Sequence, residues 1–360
     1  MNHTQDRSQR ITHIRSRLAS LGLEGITFFD LTMIRYLVGF TGSTGILFVG
    51  KDRTVLAVDG RYTTQARHET GGCEIIECSD IIAGIAGIVA ALPSGSVGFD
   101  APAVSVERYE GLHSRRGTTA LIPLSDDVRG LRAIKEQEEL DLLKEATAIA
   151  AAALQETVER IGPGMIERDI ALDLEFRMRQ GGAEQPSFDS IVASGANSAL
   201  PHAQPGSRRI ERGDFLIIDY GAVYKGYHSD ETCTFAIGSV TKEQEGIYNI
   251  VRDAHDRALD AVKAGVSCKD IDAVARGVIE NAGFGRYFSH GTGHGVGLDV
   301  HEAPKLSKES TDRLEEGMVV TVEPGIYIPD VYGVRIEDMA LVGSNGCEIL
   351  TRIPKDLRIL

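Results

Sequence analysis

The sequence predicts an α/β protein of two domains, the second of them built from two related halves. Three observations lead there. The chain is 360 residues long, more than a single core usually organises. Residues 1–130 alternate short apolar runs with helical patterns, as a small α/β domain does. Within residues 131–360, several short stretches recur in the same order at offsets near 100.

An amphipathic, charged helix is expected over about residues 6–21. It leads into GITFFD (25–30), LFVG (47–50) and TVLAVD (54–59), apolar runs bounded by turn residues and read as strands. The run IIAGIAGIVAAL (81–92) is 12 residues long. A bilayer span needs roughly 20, so it reads as a buried helix. GSVGFD (95–100) and TALIPL (119–124) read as further strands. A long amphipathic helix over 131–162, stopped by Gly162-Pro163-Gly164, opens the second domain, 131–360.

Composition excludes several roles. The formal charge of −14 argues against nucleic acid, whose phosphates need a basic surface, and against anionic membrane. Five scattered cysteines (Cys73, Cys78, Cys233, Cys268, Cys347) without a C-x-x-C suggest neither zinc ribbon nor disulfide framework. They fit a reducing cytoplasm. The amino-terminal stretch, residues 1–22, interleaves charged and apolar residues and does not read as a secretory signal.

The internal repeat carries the functional reading. GMIERDI (164–170) recurs as GVSCKDI (265–271), and the following helices reach Gly182 and Gly283, an offset of 101. HAQP (202–205) recurs as HEAP (301–304), GDFLIIDYG (213–221) as GMVVTVEPG (317–325), and GYHSD (226–230) in spacing as GVRIE (333–337). The repeat sets Asp219 against Glu323, Asp230 against Glu337 and His202 against His301. The carboxylates lie in or beside strand-like runs joined by hairpins, one with its turn near Lys225-Gly226. Four converging carboxylates raise each other's pKa and cannot all ionise in a partly buried site without a cation. Their charge suits two dications, a recurrent hydrolytic device.

The stretch SHGTGHGVGLDVHEAP (289–304) crowds three histidines among four glycines. His294 has no histidine counterpart in the first half, as an extra ligand on one metal would not. A nitrogen ligand biases the site toward manganese, cobalt, zinc or iron, and glycines would let backbone and metal approach closely. His290, on the same face as His294 in an extended segment, would stand just outside the ligand sphere. His202 and His301 would flank the metals as hydrogen-bond donors. There is no G-x-S-x-G elbow and no H-E-x-x-H, so serine-hydrolase and zincin mechanisms get no support.

LIIDYGAVYKGYHSDETCTF, HGTGHGVGLDVHE, TVEPGIYI and GVRIED resemble the signature blocks of the pita-bread metallopeptidases, in the Xaa-Pro aminopeptidase and prolidase branch. RYLVGFTGSTGILFV with AVDGRYTTQA is similar to the creatinase-type amino-terminal domain of that branch, and SGANSALPHAQPG to the block before its first ligand. The resemblance implies a creatinase-like domain over 1–130 and a catalytic pita-bread domain over 131–360. It implies two divalent metals, manganese first with cobalt or zinc as alternatives, held by Asp219, Asp230, His294, Glu323 and Glu337. Asp230 and Glu337 would bridge them and Glu323 would also act as general base. His202, His290 and His301 match outer histidines that position substrate, and Arg335 an arginine beside the site. The implied reaction is hydrolysis of the bond between an amino-terminal residue and a following proline, by attack of a metal-bridging hydroxide, in a homodimer acting on short proline-containing peptides. Prolidases, which cut only dipeptides, share all five ligands and stay open as the alternative. A non-catalytic peptide-binding module of the same fold is the remaining one, though such modules tend to lose ligands.

Overall fold

The computed structural model describes residues 7–92 and 95–360. Residue 6, where the first helix is expected to begin, lies outside the described residues, as does the start of the amino-terminal stretch. The chain divides into two compact units, Met1–Arg129 and Gly130–Leu360. Among the described residues no helix is long and apolar enough to cross a membrane.

The first unit is a six-stranded mixed sheet in the order β4-β3-β2-β1-β5-β6. Its strands are β1 (Gly25–Phe28), β2 (Ile46–Gly50), β3 (Thr54–Val58), β4 (Glu74–Glu77), β5 (Ser96–Asp100) and β6 (Ala120–Leu124). Strands β1, β2 and β3 are buried along their whole length, which is why they read as continuous apolar runs rather than alternating ones. Helix α1 (Ser8–Leu21) buries Ile11, Ile14 and Leu18 on one stripe and ends at Gly22, whose φ of 65° closes it. The apolar run at 81–92 forms α4 (Ile81–Ala90), begun by the Asp80 side chain accepting from the Ala83 N–H. Among the elements the sequence reading does not anticipate are β4, α2 (Leu31–Val38), α3 (Thr63–Glu69) and α5 (Val106–His113). EIIE in β4 carries charge at both ends, and the three helices are too short to show a period.

A short α6 (Asp126–Arg129) precedes the second unit. There the long helix α7 spans Gln137–Val158 rather than 131–162. Its start is fixed by Glu139, whose side chain accepts from the Glu136 N–H at 3.0 Å. Upstream, Ile134 bridges Met318 and Lys135 N–H reaches Gly317 O at 2.9 Å, so the segment pairs with a strand instead of winding.

The two halves repeat each other down to single hydrogen bonds. Helix α8 (Glu167–Gln180) recurs as α10 (Cys268–Asn281), after α9 (Lys242–Ala261) takes the place of α7. Ile166 bridges Arg209, and Ser267 bridges Arg313. Gly164 N–H bonds Ile210 O at 2.8 Å, and Gly265 N–H bonds Leu314 O at 2.7 Å. Arg209 donates to Gly164 O, and Arg313 to Gly265 O, each at 2.7 Å. In the first half β8 (Ile191–Ser194), β9 (Phe215–Tyr220) and β12 (Glu231–Ala236) form an antiparallel sheet in the order β12-β9-β8. Beside it β7 (Gln185–Pro186), β10 (Ala222–Tyr224) and β11 (Tyr227–His228) pair, β10 turning into β11 through Lys225 and Gly226, both at positive φ. In the second half the sheet order is β14-β13-β15-β18-β19, from β13 (Gly293–Gly295), β14 (Glu302–Leu306), β15 (Val319–Val322), β18 (Asp338–Val342) and β19 (Cys347–Ile349). A separate hairpin joins β16 (Gly325–Ile328) to β17 (Tyr332–Arg335). Each half packs its helices over its sheet around its own apolar core.

The repeat is not perfect. Glu231 faces Tyr220 in the first ladder. Offsets of 107 and 104 would then set Asp338 opposite Pro324, but Asp338 faces Val322. The second ladder has slipped by two residues, an even number, so every side chain keeps its face.

Candidate metal centre

The antiparallel strands bring Asp230, His294 and Glu337 together, with Glu323 beside His294. Asp219 lies near the end of β9, and Asp230 directly precedes β12, its partner strand. Glu323 directly follows β15, and Glu337 directly precedes β18. His294 is the centre of β13, which pairs with both β14 and β15. Ligand atoms of Asp230, His294 and Glu337 all lie within 4.8 Å of one another. His294 Nε2 is 3.6 Å from Asp230 Oδ2 and 3.4 Å from Glu323 Oε1. Asp219 Oδ2 receives Arg335 Nη2 at 2.6 Å, and its Oδ1 is buried with no hydrogen-bond partner among the described residues.

Burial raises the pKa of Asp230 and of Glu337 well above the usual carboxylate range, and the neighbouring carboxylates push the same way. Glu323 is pushed up to about 7, again by burial first, with Arg335 opposing. His294 moves the other way, down to about 4, because burial disfavours its cation and His301 adds to that. The result is a neutral imidazole beside carboxyls that hold protons for want of a countercharge. A buried acceptor oxygen with no donor, clustered carboxylates and a ready nitrogen ligand are the donor set of divalent cations. The residues fit.

Around the cluster runs a set of hydrogen bonds. Arg335, buried at 3% exposure, also donates to Tyr327 Oη at 2.8 Å and to Pro201 O at 3.1 Å. Tyr327 Oη is 2.9 Å from His290 Nε2, and His290 Nδ1 stands 4.0 Å from Glu323 Oε2. His290 is outside β13, so the hold of Tyr327, not strand alternation, sets its direction. His301 is exposed, with its ring centroid 4.3 Å from that of His294. His202 is exposed on the segment whose Pro201 meets Arg335.

Four supporting residues escaped the sequence reading. Thr232 donates to Glu337 Oε2 at 2.7 Å, and Thr321 Oγ1 accepts from the His294 N–H at 3.1 Å. Asp272 takes both the N–H and the hydroxyl of Thr292 while pairing with Arg276, which holds the His290 carbonyl at 2.8 Å. Tyr327 had a legible signal: it lies four residues after Glu323 in the same run, TVEPGIYI. The threonines and Asp272 had none, being ordinary residues until the fold selects their partners.

The glycines beside His294 also serve the packing of the strands. A Cβ at Gly293 would lie 1.9 Å from Thr321 O, and one at Gly295 2.2 Å from Ala303 O. They let the neighbouring strands close around His294.

A sequence profile of metallopeptidase family M24 matches residues 141–344. The chain belongs to that family. A creatinase/prolidase amino-terminal domain profile matches residues 10–134 of this M24 peptidase, and its fold is the pita-bread fold with a creatinase-like first domain. An Xaa-Pro dipeptidase of Pyrococcus furiosus is 43% identical over 254 residues, 71% of this chain and 73% of that one. The solved structure of an Xaa-Pro dipeptidase from Bacillus anthracis is 42% identical and superposes with a TM-score of 0.95, covering 99% of this chain and 100% of that chain. An X-Pro aminopeptidase from Thermotoga maritima is 37% identical, with a TM-score of 0.90 over 97% of this chain and 99% of that chain. Membership makes the chain a metallopeptidase of a family that uses divalent metals.

Proposed function

We propose that this M24 enzyme is a dinuclear exopeptidase that hydrolyses the bond between an amino-terminal residue and a following proline. The observation that carries the reading is the meeting of Asp230, His294 and Glu337 within 4.8 Å, with Glu323 beside His294. Asp219, Asp230, His294, Glu323 and Glu337 would hold the two cations, manganese by expectation. When bound, the cations activate the attacking water and polarise the scissile carbonyl.

The chain's own groups do the rest. Glu323, beside His294, takes a proton from the water as general base. Arg335 holds the Asp219 carboxylate in place through their 2.6 Å contact. His290, its ring nitrogens held by the Gly291 carbonyl and Tyr327 and its pKa pushed down to about 4 by burial, stays neutral and positions the substrate by contact. His202 and His301, exposed at the rim, donate to the oxygen on which negative charge develops. Action as a cytoplasmic homodimer belongs to the same reading.

The aminopeptidase assignment stood first from sequence, but the relatives named above weigh toward the dipeptidase. Two of them, at 42% and 43% identity, are Xaa-Pro dipeptidases. The deciding assay titrates metal-free protein with manganese on an Xaa-Pro dipeptide and an Xaa-Pro-Xaa tripeptide in parallel. Cleavage of the dipeptide alone is the expected result. Release of the first residue from the tripeptide assigns an aminopeptidase instead. If neither is cut at any manganese concentration, the peptidase reading is wrong.

A further inference from the structure

Behind the candidate metal cluster lies a second group of buried charges that the reaction does not use. Glu231 directly follows Asp230 and Asp338 directly follows Glu337, so strand alternation turns both away from the cluster. Their side chains are 1% and 6% exposed, and between them sits Lys355, 8% exposed. Lys355 Nζ is 2.5 Å from Glu231 Oε1 and 3.2 Å from Asp338 Oδ1. Tyr220 donates to Glu231 Oε2 at 2.8 Å. Thr351 donates to Asp338 Oδ1, and His255 Nε2 lies 3.2 Å from Oδ2 of the same carboxylate.

The two acids begin strands of different sheets, β12 and β18. At that point the sheets are linked by the Glu337 N–H to Thr232 O, at 3.2 Å, and by the Asp230 N–H to Met339 Sδ, also at 3.2 Å. Lys355 comes from the carboxy-terminal segment, which is fixed where Tyr248 donates to Lys355 O at 3.1 Å and where the Ile353 N–H reaches Glu231 Oε1 at 3.3 Å. Burying an ammonium and two carboxylates costs several kcal/mol per ion, and well-packed apolar residues serve stability as well or better. What an ammonium does that a methyl cannot is hold two carboxylates, and so two strand starts, at a set separation.

We infer that Lys355 is a positioning residue, a clamp on the back of the two half-domains that fixes the distance between the carboxylates of Asp230 and Glu337 on the front. The inference rests on the metal reading proposed above, and its test separates the two. Metal-free wild type, K355M, K355R and the charge-balanced E231Q/K355M are titrated calorimetrically with manganese(II) alone. Their cobalt(II) forms are compared by visible absorption, which reports coordination geometry, and folding is checked by circular dichroism.

The clamp predicts that folded K355M binds manganese about tenfold more weakly or worse, in the range of outer-shell changes at metal sites, with an altered cobalt spectrum. K355R recovers most of the affinity, because a guanidinium can span two carboxylates. E231Q/K355M stays weak despite its balanced charge, and it decides the matter should K355M fail to fold. Wild-type affinity and spectrum in K355M, or their return in E231Q/K355M, overturns the clamp. A wild type that takes up no manganese overturns the metal reading and removes the clamp with it.

Discussion

Asp230→Asn leaves a folded protein that no longer loads manganese and has lost Xaa-Pro cleavage. The loss exceeds the roughly 10–100-fold that outer-shell changes cost at metal sites, because Asp230 stands in the cluster itself, with Oδ2 3.6 Å from His294 Nε2. Asparagine keeps the shape and removes the charge. In the metal-free protein that charge is a burden: burial and three neighbouring carboxylates hold the Asp230 pKa well above its usual value. The variant therefore melts, without metal, at or above the wild-type temperature above neutral pH, while manganese no longer raises its melting point. A catalytic aspartate with no part in metal binding would lose activity and keep the manganese response. Thermal melts with and without manganese, beside the peptide assay, separate the cases.

The second large effect is on stability against pH. A carboxyl with a raised folded-state pKa binds its proton more tightly in the folded chain, so the fold loses stability as pH climbs from the unfolded value through the folded one. For Glu323 that window runs from 4.5 to about 7, and for Asp230 and Glu337 it begins near the usual carboxylate values and extends upward. His290 and His294 oppose this. Their folded values near 4 lie below the ordinary 6.5, so they add stability as pH rises between those limits. Above pH 6.5 these two histidines contribute nothing further, and the cluster carboxylates act without their opposition. Metal-free protein is expected to melt at progressively lower temperature from pH 6.5 to about 8.5, with a shift of several degrees for a few kcal/mol. Manganese replaces the protons and removes that slope. Groups remote from the cluster titrate in both forms and cancel, so the gap between loaded and metal-free melting temperatures should widen with pH. A constant gap would mean that the carboxylates do not share the site with the metal.

Much of this was legible before the fold was seen. The repeat at offset 101 predicted equivalent helices, and the paired hydrogen bonds of Gly164 and Gly265 appear where it required. The order Asp219, Asp230, His294, Glu323, Glu337 named a cluster because acids at strand ends, twice over, have few reasons to converge other than a cation. The ladder slip that sets Asp338 opposite Val322 was not legible, since hydrogen-bond register leaves no mark on residue type when the shift is even. Nor was the placing of His290, which depends on Tyr327 from another strand. Lys355 was hidden most deeply. It lies in the loop-like stretch EILTRIPKDLRIL, and its partners Glu231 and Asp338 are 124 and 17 residues away. No local pattern distinguishes a buried lysine from the solvated ones on the surface.

In the proposed enzyme, five side chains from both halves hold two metal ions. Calorimetric titration of metal-free wild-type protein with manganese(II), at two pH values above 6.5, tests it most directly. The expected result is two ions per chain, protons released on binding, and tighter binding at the higher pH. A fully folded protein that binds no manganese, or binds it with no proton release and no pH dependence, would contradict it.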